Sequence, residues 1–457
     1  MKKSVIILLS VFLLVSEDIF SQQVYDLQGC LRQALENNHN IRKSKLDLEK
    51  SAQARNEILG ALLPQVNATG SMNYNIQKSK FIMPNFINSM LPPNMQDPNA
   101  AQYMTIEMGM NYSAALGASV NQQVVNFSLF NALDIAKTAE NLTALAVESK
   151  EEDVISQTAG IFYGVQVTDY AVGLFSQSIG IIDTMLNTMK VSYENGLIKK
   201  VDLDRLTVTR TNLATQKTAM QNAVEVQKNL LKLQMGIDIN QPLEIQKLDL
   251  TVFERQAGTA DDPDFDLKNQ TAYKILDRQS FMTQLQKRSA IYESLPVLTA
   301  MGTFNYNGVS EEFFRGETNY WYPTSMVGLS MKIPIFGGLS RTAKIRQADI
   351  ELRKVSEDKA MLEQSLNMAF SNALIKLSDS RRTIDVQRAN MALAGEVYRV
   401  SEANYAQGLA SMSDVLNANN SLIQSQMSYA DALNNYMKAW IELRKASGTI
   451  KSLVSQN

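Results

Sequence analysis

Cysteine and histidine occur once each, as Cys30 and His39, in a chain of 457 residues. One thiol cannot close a disulfide within the chain. A lone imidazole with a lone thiol builds neither a Cys-rich zinc site, a two-His centre nor a redox pair, so no cofactor and no metal are expected. Neither sign of charge dominates, since 44 Lys+Arg stand against 46 Asp+Glu with no long run of either. A nucleic acid needs a basic face, so that class of partner is excluded. Proline (10) and glycine (21) are scarce for the length, and no apolar run reaches the roughly 20 residues of a membrane-crossing helix. A nucleophile beside a base, a P-loop and a Rossmann glycine pattern are missing as well, so an enzyme is not expected.

What is present begins with Lys2 and Lys3, an apolar run of 11 residues from Val5 to Val15, and a more polar stretch from Ser16 to Ser21. Residues 1–21 read as a secretory signal peptide. Leu27-Gln28-Gly29-Cys30 superficially resembles a lipoprotein cleavage box, but a polar segment of fourteen residues (16–29) separates the cysteine from the apolar run. A buried helix cysteine is the expected reading.

All ten prolines lie outside four segments, 127–195, 197–235, 339–407 and 409–447, which are predicted to be helices. Within the third, Ile345, Ala348, Leu352, Val355, Lys359, Leu362, Leu366, Ala369 and Ala373 step by 3 and 4, the spacing of a coiled-coil seam with one polar member. Gly160, Gly164, Gly173 and Gly180 interrupt the first segment. Each costs about 1 kcal/mol relative to Ala, so a bend or close backbone packing is expected to compensate. Segments 27–63 and 265–295 are predicted as shorter helices that stop at Pro64 and Pro296. Alternating residues follow, giving predicted strands at 66–75, 108–122, 297–307 and 324–333, each near the length of a tilted membrane-spanning strand. These form two hairpins whose two faces both carry apolar or small residues. Pro334 marks the return to helix, and 76–107, with Pro84, Pro92, Pro93 and Pro98, is expected to be an irregular loop.

The chain also resembles itself. Leu63-Pro64, Gly70, Asn73, Tyr74 and Asn75 recur 232 residues later, and Gly117 recurs as Gly328 at 211. Tyr193, Gly196, Leu197, Asp202, Leu231 and Gly236 recur 212 residues later as Tyr405, Gly408, Leu409, Asp414, Leu443 and Gly448. The order helix, hairpin, long helix, tight turn, helix is thus expected twice. Each long helix should be matched by two short ones stacked end to end. The organisation expected is a signal peptide (1–21), a first repeat (22–240), a linker (241–264) partway along the resulting rod, a second repeat (265–449) and a C-terminal tail (450–457). Four strands cannot close a barrel, since about eight is the minimum, and open edges are forbidden in lipid. Three copies, giving twelve strands above a ring of helices, are the simplest cyclic solution with a lumen.

These features together resemble the TolC-like outer-membrane efflux proteins. The pieces that carry the resemblance are Leu27-x-x-Cys30-Leu31-x-x-Ala34-Leu35-x-Asn37-Asn38, Leu63-Pro64, Ile333-Pro334-Ile335-Phe336-Gly337-Gly338, the two Tyr-x-x-Gly turns and Leu231-x-x-x-x-Gly236. The resemblance implies an α+β membrane protein, a homotrimer whose 12-stranded β-barrel sits in outer-membrane lipid and continues into a periplasmic α-helical tunnel. It implies a passive exit duct for drugs, small molecules or polypeptides. The implied partners are a periplasmic membrane-fusion adaptor and an inner-membrane pump or ABC-type transporter. It places Tyr193, Gly196, Tyr405 and Gly408 at the periplasmic tip, in contact with the adaptor. Asp202 and Asp414, about a turn and a half into the following helices and facing inward, would form carboxylate rings at an aperture. A second acidic ring found in some family members is Asn417 here, and their nearby basic position is Ala410. Asp204 and Arg205 could supply the missing closing pair. The alternative of another class is a periplasmic coiled-coil adaptor or structural protein without a barrel. Trp321, with Tyr320 and Tyr322, is expected to end the loop entering the fourth strand, at an interfacial aromatic girdle. Trp440 is expected in the core and His39 at the surface.

Overall fold

The computed structural model describes residues 24–250, 265–313, 317 and 319–455. The predicted signal peptide and much of the predicted linker lie outside them. The order is β1 (Val24–Tyr25), α1 (Leu27–Asn37), α2 (His39–Gly60), β2 (Gln65–Tyr74), β3 (Ser79–Pro84), α3 (Phe86–Met90), β4 (Tyr103–Met108), β5 (Tyr112–Val125), α4 (Phe127–Glu194) and α5 (Lys200–Met235). It continues with β6 (Glu244–Ile245), a 3₁₀ turn (Leu267–Asn269), α6 (Thr271–Tyr292), β7 (Val297–Ser310), β8 (Tyr320–Lys332), α7 (Ser340–Ala406), α8 (Met412–Ala446) and α9 (Ser452–Ser455). Two compact units result. A helical unit comprises the chain up to Glu49, Asn141–Gln279 and Val355 onward, and a sheet unit comprises Lys50–Glu140 and Ser280–Lys354.

The helices end where the glycines predict. At the ends of α4, α5, α7 and α8 a left-handed glycine follows the last turn, with φ of +74° at Gly196, +66° at Gly236, +74° at Gly408 and +74° at Gly448. Each donates its N–H to the carbonyl three residues back, and the next residue donates to the one five back, as Leu197 does to Ser192 at 2.9 Å and Leu409 to Asn404 at 2.8 Å. This Schellman geometry satisfies carbonyls that a helix end leaves open. The helix-to-strand junctions follow from proline in a different way. Leu62 and Leu63 donate to Leu59 and Gly60, and Ser294 and Leu295 to Ile291 and Tyr292, in tight three-residue turns before Pro64 and Pro296. The chain is then extended, because proline restricts the residue before it.

In the helical unit the core gathers Leu31, Phe162, Leu231, Met235, Tyr429, Leu433 and Tyr436. Cys30 lies among them on α1, fully buried. Burial first and the charge of Asp26 second push its thiol up to about 12. Trp440 is half-buried against this core, edge-on to Tyr163, and His39 is exposed. Residues 27–63 do not form the single helix predicted, because Asn38 breaks it. The Asn38 side chain accepts from the Asn40 N–H at 2.8 Å and donates to the Gln234 carbonyl at 2.8 Å, so the break is where the end of α5 abuts the chain between α1 and α2. Gln270 does the same before α6, donating to the Ala446 carbonyl at 2.7 Å at the end of α8. Stacked ends are thus held by one amide each. β1 pairs with β6 in parallel, tying part of the predicted linker to the N-terminal segment.

The seam is largely as predicted, with Val355 and Ala373 buried, although Ala369 is exposed. Its polar member is accounted for, since the Lys359 ammonium pairs with Asp277 at 2.8 Å and lies 4.9 Å from the centre of the Tyr273 ring. α4 runs unbroken through its four internal glycines. A Cβ on Gly160, Gly173 or Gly180 would meet nothing within 4 Å, so close backbone packing within the chain does not compensate for them.

Candidate functional site

Two places in the fold carry the functional residues predicted above, one in each unit. The first is the sheet, ordered β2-β5-β7-β8 and antiparallel throughout. Its register sharpens the expectation that both faces carry apolar or small residues. Val66, Ala68, Gly70, Met72 and Tyr74 of β2 lie opposite Val120, Ala118, Leu116, Ala114 and Tyr112 of β5. Those residues continue through Gly302, Phe304, Tyr306 and Gly308 of β7 to Val327, Ser325, Pro323 and Trp321 of β8. The other face carries Asn67, Thr69, Ser71, Asn73, Ser119, Asn121, Thr303, Asn305, Asn307 and Thr324. One face is therefore mainly apolar, and the other mixes these polar residues with Ala115, Met301, Val309 and Met326. A local reading missed this because side-chain period 2 says only that faces alternate, and pairing decides which residues share one.

The apolar face is bare in the single chain, with Val327 91%, Leu329 71% and Val66 69% exposed. Aromatic rings gather at its end far from the helix junctions. Tyr74 and Tyr112 are 4.9 Å apart, and Tyr306 stacks on Trp321 at 5.4 Å. The Trp321 ring covers Gly308, where a Cβ would come within 2.7 Å of it, as an aromatic covering a strand glycine does. Trp321 thus belongs to the strand and not to the loop before it, and Tyr320 and Tyr322 face the other side. The loop 76–107 is also corrected, because 79–84 and 103–108 pair as a hairpin capped by the short α3. Four prolines obscured it, but Pro84 stands at the end of its strand, where a missing N–H is tolerated.

The second place is the pair of turns in the helical unit. α5 starts at Lys200 and α8 at Met412, three residues later than predicted, because the Schellman turn is followed by an extended residue, Lys199 or Ser411, that starts each helix. Asp202 and Asp414 are consequently third residues of their helices, within the first turn, and not a turn and a half along. Acidic residues belong there by helix polarity. Asp414 does more, since its carboxylate accepts the Ser411 N–H at 2.9 Å and hydroxyl at 2.6 Å while its own N–H donates to Ser411 Oγ at 3.2 Å. The sequence signal of this capping box is Ser411-x-x-Asp414. Those bonds from Ser411 hold the Asp414 carboxyl below its ordinary range. The contribution is present above the unfolded carboxyl pKa and is lost as pH falls through the lowered folded value. Ser411→Ala is expected to weaken the start of α8 by about 1 kcal/mol, read as faster amide exchange at residues 412–415. Lys199 supplies no side-chain cap to α5, so Lys199→Ala should leave residues 200–203 unchanged.

The two turns meet. Arg205 on α5 donates to the Ser413 hydroxyl at 3.1 Å and lies 3.7 Å from Asp202. The Tyr405 phenol is raised above its usual range by partial burial first and by the charge of Asp202 second, so Asp202, Arg205, Ser413 and Tyr405 share one neighbourhood. Beneath them Met189, Leu206, Met412 and Val415 are buried in one cluster. Tyr193, Asp204 and Asn417 are exposed. Pro334 accepts from Arg341 at 3.0 Å in the segment joining β8 to α7. No described helix is long and apolar enough to cross a membrane.

Comparison with known proteins gives a consistent match. The profile of a family described as "Outer membrane efflux protein" matches residues 30–235 and 284–449. Outer membrane protein TolC of Escherichia coli (strain K12) is 22% identical over 442 residues, which is 94% of this chain and 83% of that protein. Alkaline protease secretion protein AprF of Pseudomonas aeruginosa is 25% identical over 161 residues, 34% of this chain and 32% of its own length. Among solved structures, the fold is similar to that of CusC (TM-score 0.70, 14% identity, 92% of this chain and 91% of that one). It is similar also to the Campylobacter jejuni CmeC outer membrane channel (TM-score 0.69, 15% identity, 93% and 85%).

Proposed function

Because the chain belongs to the outer membrane efflux protein family, we propose that three copies join their sheets into one 12-stranded barrel, continued by an α-helical tunnel across the periplasm. The protein is an outer-membrane channel for efflux or secretion, reaching into the periplasm. The observation that carries the trimeric reading is the sheet with one apolar face and two open edges. Among the described residues β2 and β8 pair with no strand on their outer sides, and lipid cannot satisfy the N–H and C=O groups that such edges present. They also run in opposite directions, so β8 of one copy pairs antiparallel with β2 of the next and the alternation continues around the ring. Eight strands from two copies would enclose a filled interior. Twelve leave a lumen lined by the Asn, Ser and Thr face.

The tandem repeats of the reading are supported by the paired Schellman turns and by Asn38 and Gln270 holding equivalent helix ends. Transport through such a duct is passive, with no reaction chemistry, and energy comes from an inner-membrane pump or ABC-type transporter engaged through a membrane-fusion adaptor. The turns at Tyr193–Gly196 and Tyr405–Gly408 form the periplasmic tip and the adaptor contact. Of the aperture residues Asp202, Asp204, Arg205, Asp414 and Asn417, Arg205 makes the closing contact, because it links the two turns while Asp414 is engaged by Ser411. Arg205→Ala should raise single-channel conductance in planar bilayers without changing the mass of the native assembly. A native mass of one polypeptide in mild detergent would overturn the channel reading, and a trimer with unchanged conductance would overturn only the role of Arg205.

A further inference from the structure

Beyond the sheet, the hairpin β3–β4 and α3 form a small element that the other described residues leave largely exposed. It lies in the connection between β2 and β5, at the end of the sheet away from the helix junctions, and is longer than the 311–319 connection between β7 and β8. Its root is fixed. Lys78 pairs with both carboxylate oxygens of Glu311 at 2.7 and 2.8 Å, and Asn111 donates to the Glu311 carbonyl at 3.2 Å. Above the root the hairpin is a separate two-stranded sheet, an arrangement that is marginal in water by itself.

Its register sorts the side chains. Phe81 lies opposite Ile106, Met83 opposite Met104 and Ser79 opposite Met108, while Lys80 and Ile82 lie opposite Glu107 and Thr105. The first set forms an apolar face, and α3 between the two strands also exposes Ile87 and Met90. Phe81 is 53% exposed, Met108 56% and Met90 80%. Over 76–111 the charges balance, Lys78 and Lys80 against Asp97 and Glu107, and Lys80 pairs with Glu107 at 3.3 Å.

We infer that this apolar face is covered by the same hairpin of the other two copies, so that three hairpins pack together over the outer mouth of the channel. The inference rests on the trimeric reading above, which sets three such elements at one rim. A neutral element can approach its own copies without like-charge repulsion, whereas anionic lipid headgroups would call for a basic patch that is not there. Flexible methionines allow a self-facing surface to repack against itself.

The test is cross-linking in the full chain, where Cys30 is buried and does not compete. Phe81→Cys and Lys80→Cys place a thiol on opposite faces of the same strand. With a short bismaleimide, Cys-substituted position 81 should shift the denatured band to dimer and trimer, and position 80 should stay monomeric. A hydrophilic maleimide should label position 80 and be excluded from position 81. If the native mass is trimeric but neither position cross-links, the inference is overturned, whether position 81 labels freely or is protected by lipid or another molecule. A monomeric native mass would instead remove the trimeric reading itself.

Discussion

Val327→Arg is expected to abolish stable insertion, while Met326→Arg, at the adjacent residue, leaves the protein in the membrane. Val327 lies near the middle of β8, between Leu329 and Ser325 on the apolar face, and pairs with Gly302 of β7. In the single chain nothing covers it, since 91% of its surface is exposed. If that face meets hydrocarbon, a guanidinium there costs about 2–4 kcal/mol per copy at the bilayer midplane, and a ring of three incurs that cost three times. Met326 shares its face with Thr324, Gly328 and Ser330, which the proposed barrel would turn toward water. An arginine there would change ion selectivity and leave assembly intact. The heat-modifiable band in the membrane fraction reads both variants. Equal losses for the two would show that the faces do not divide between lipid and lumen, and equal tolerance would show that β8 is not in a membrane.

The same strands show what could be read locally. Proline positions were enough to delimit the long helices, because a ring without an N–H is excluded from a helix interior and the chain has few prolines to spend. The glycines at 196, 236, 408 and 448 fixed the helix ends for a similar reason, that a left-handed residue is needed there. The sheet faces were different. Whether Phe304 joins Ala118 or faces away from it depends on a pairing between segments almost two hundred residues apart, and no local pattern carries that information. Asn38 is of the same kind, since its break in the first helix is held by Gln234. Asp202 and Asp414 were misplaced along their helices for a smaller reason. The reversal uses three more residues than glycine alone requires, and the signal for the later start of α8 is Ser411.

Gly236→Ala should lower the stability of the assembly far more than Gly196→Ala, although both glycines have nearly the same backbone conformation. Their φ angles are +66° and +74°, and moving a side chain into the left-handed region costs about 1 kcal/mol at either place. The surroundings differ. A Cβ on Gly196 meets nothing within 4 Å, whereas one on Gly236 would lie 2.3 Å from the Asn37 carbonyl oxygen and 2.6 Å from its carbon. Those are backbone atoms at the junction of α1 and α2, which cannot rotate aside. Overpacking of this kind adds about 1–3 kcal/mol, so Gly236→Ala is expected to cost about 2–4 kcal/mol. Gly448→Ala should fall between, because its nearest neighbour at 3.1 Å is the Gln270 side chain, which can yield. The dissociation temperature of the proposed trimer ranks the three variants. Should Gly236→Ala and Gly196→Ala fall by the same amount, the end of α5 would not be seated against Asn37, and the end-to-end stacking by which short helices match a long one would lose its support.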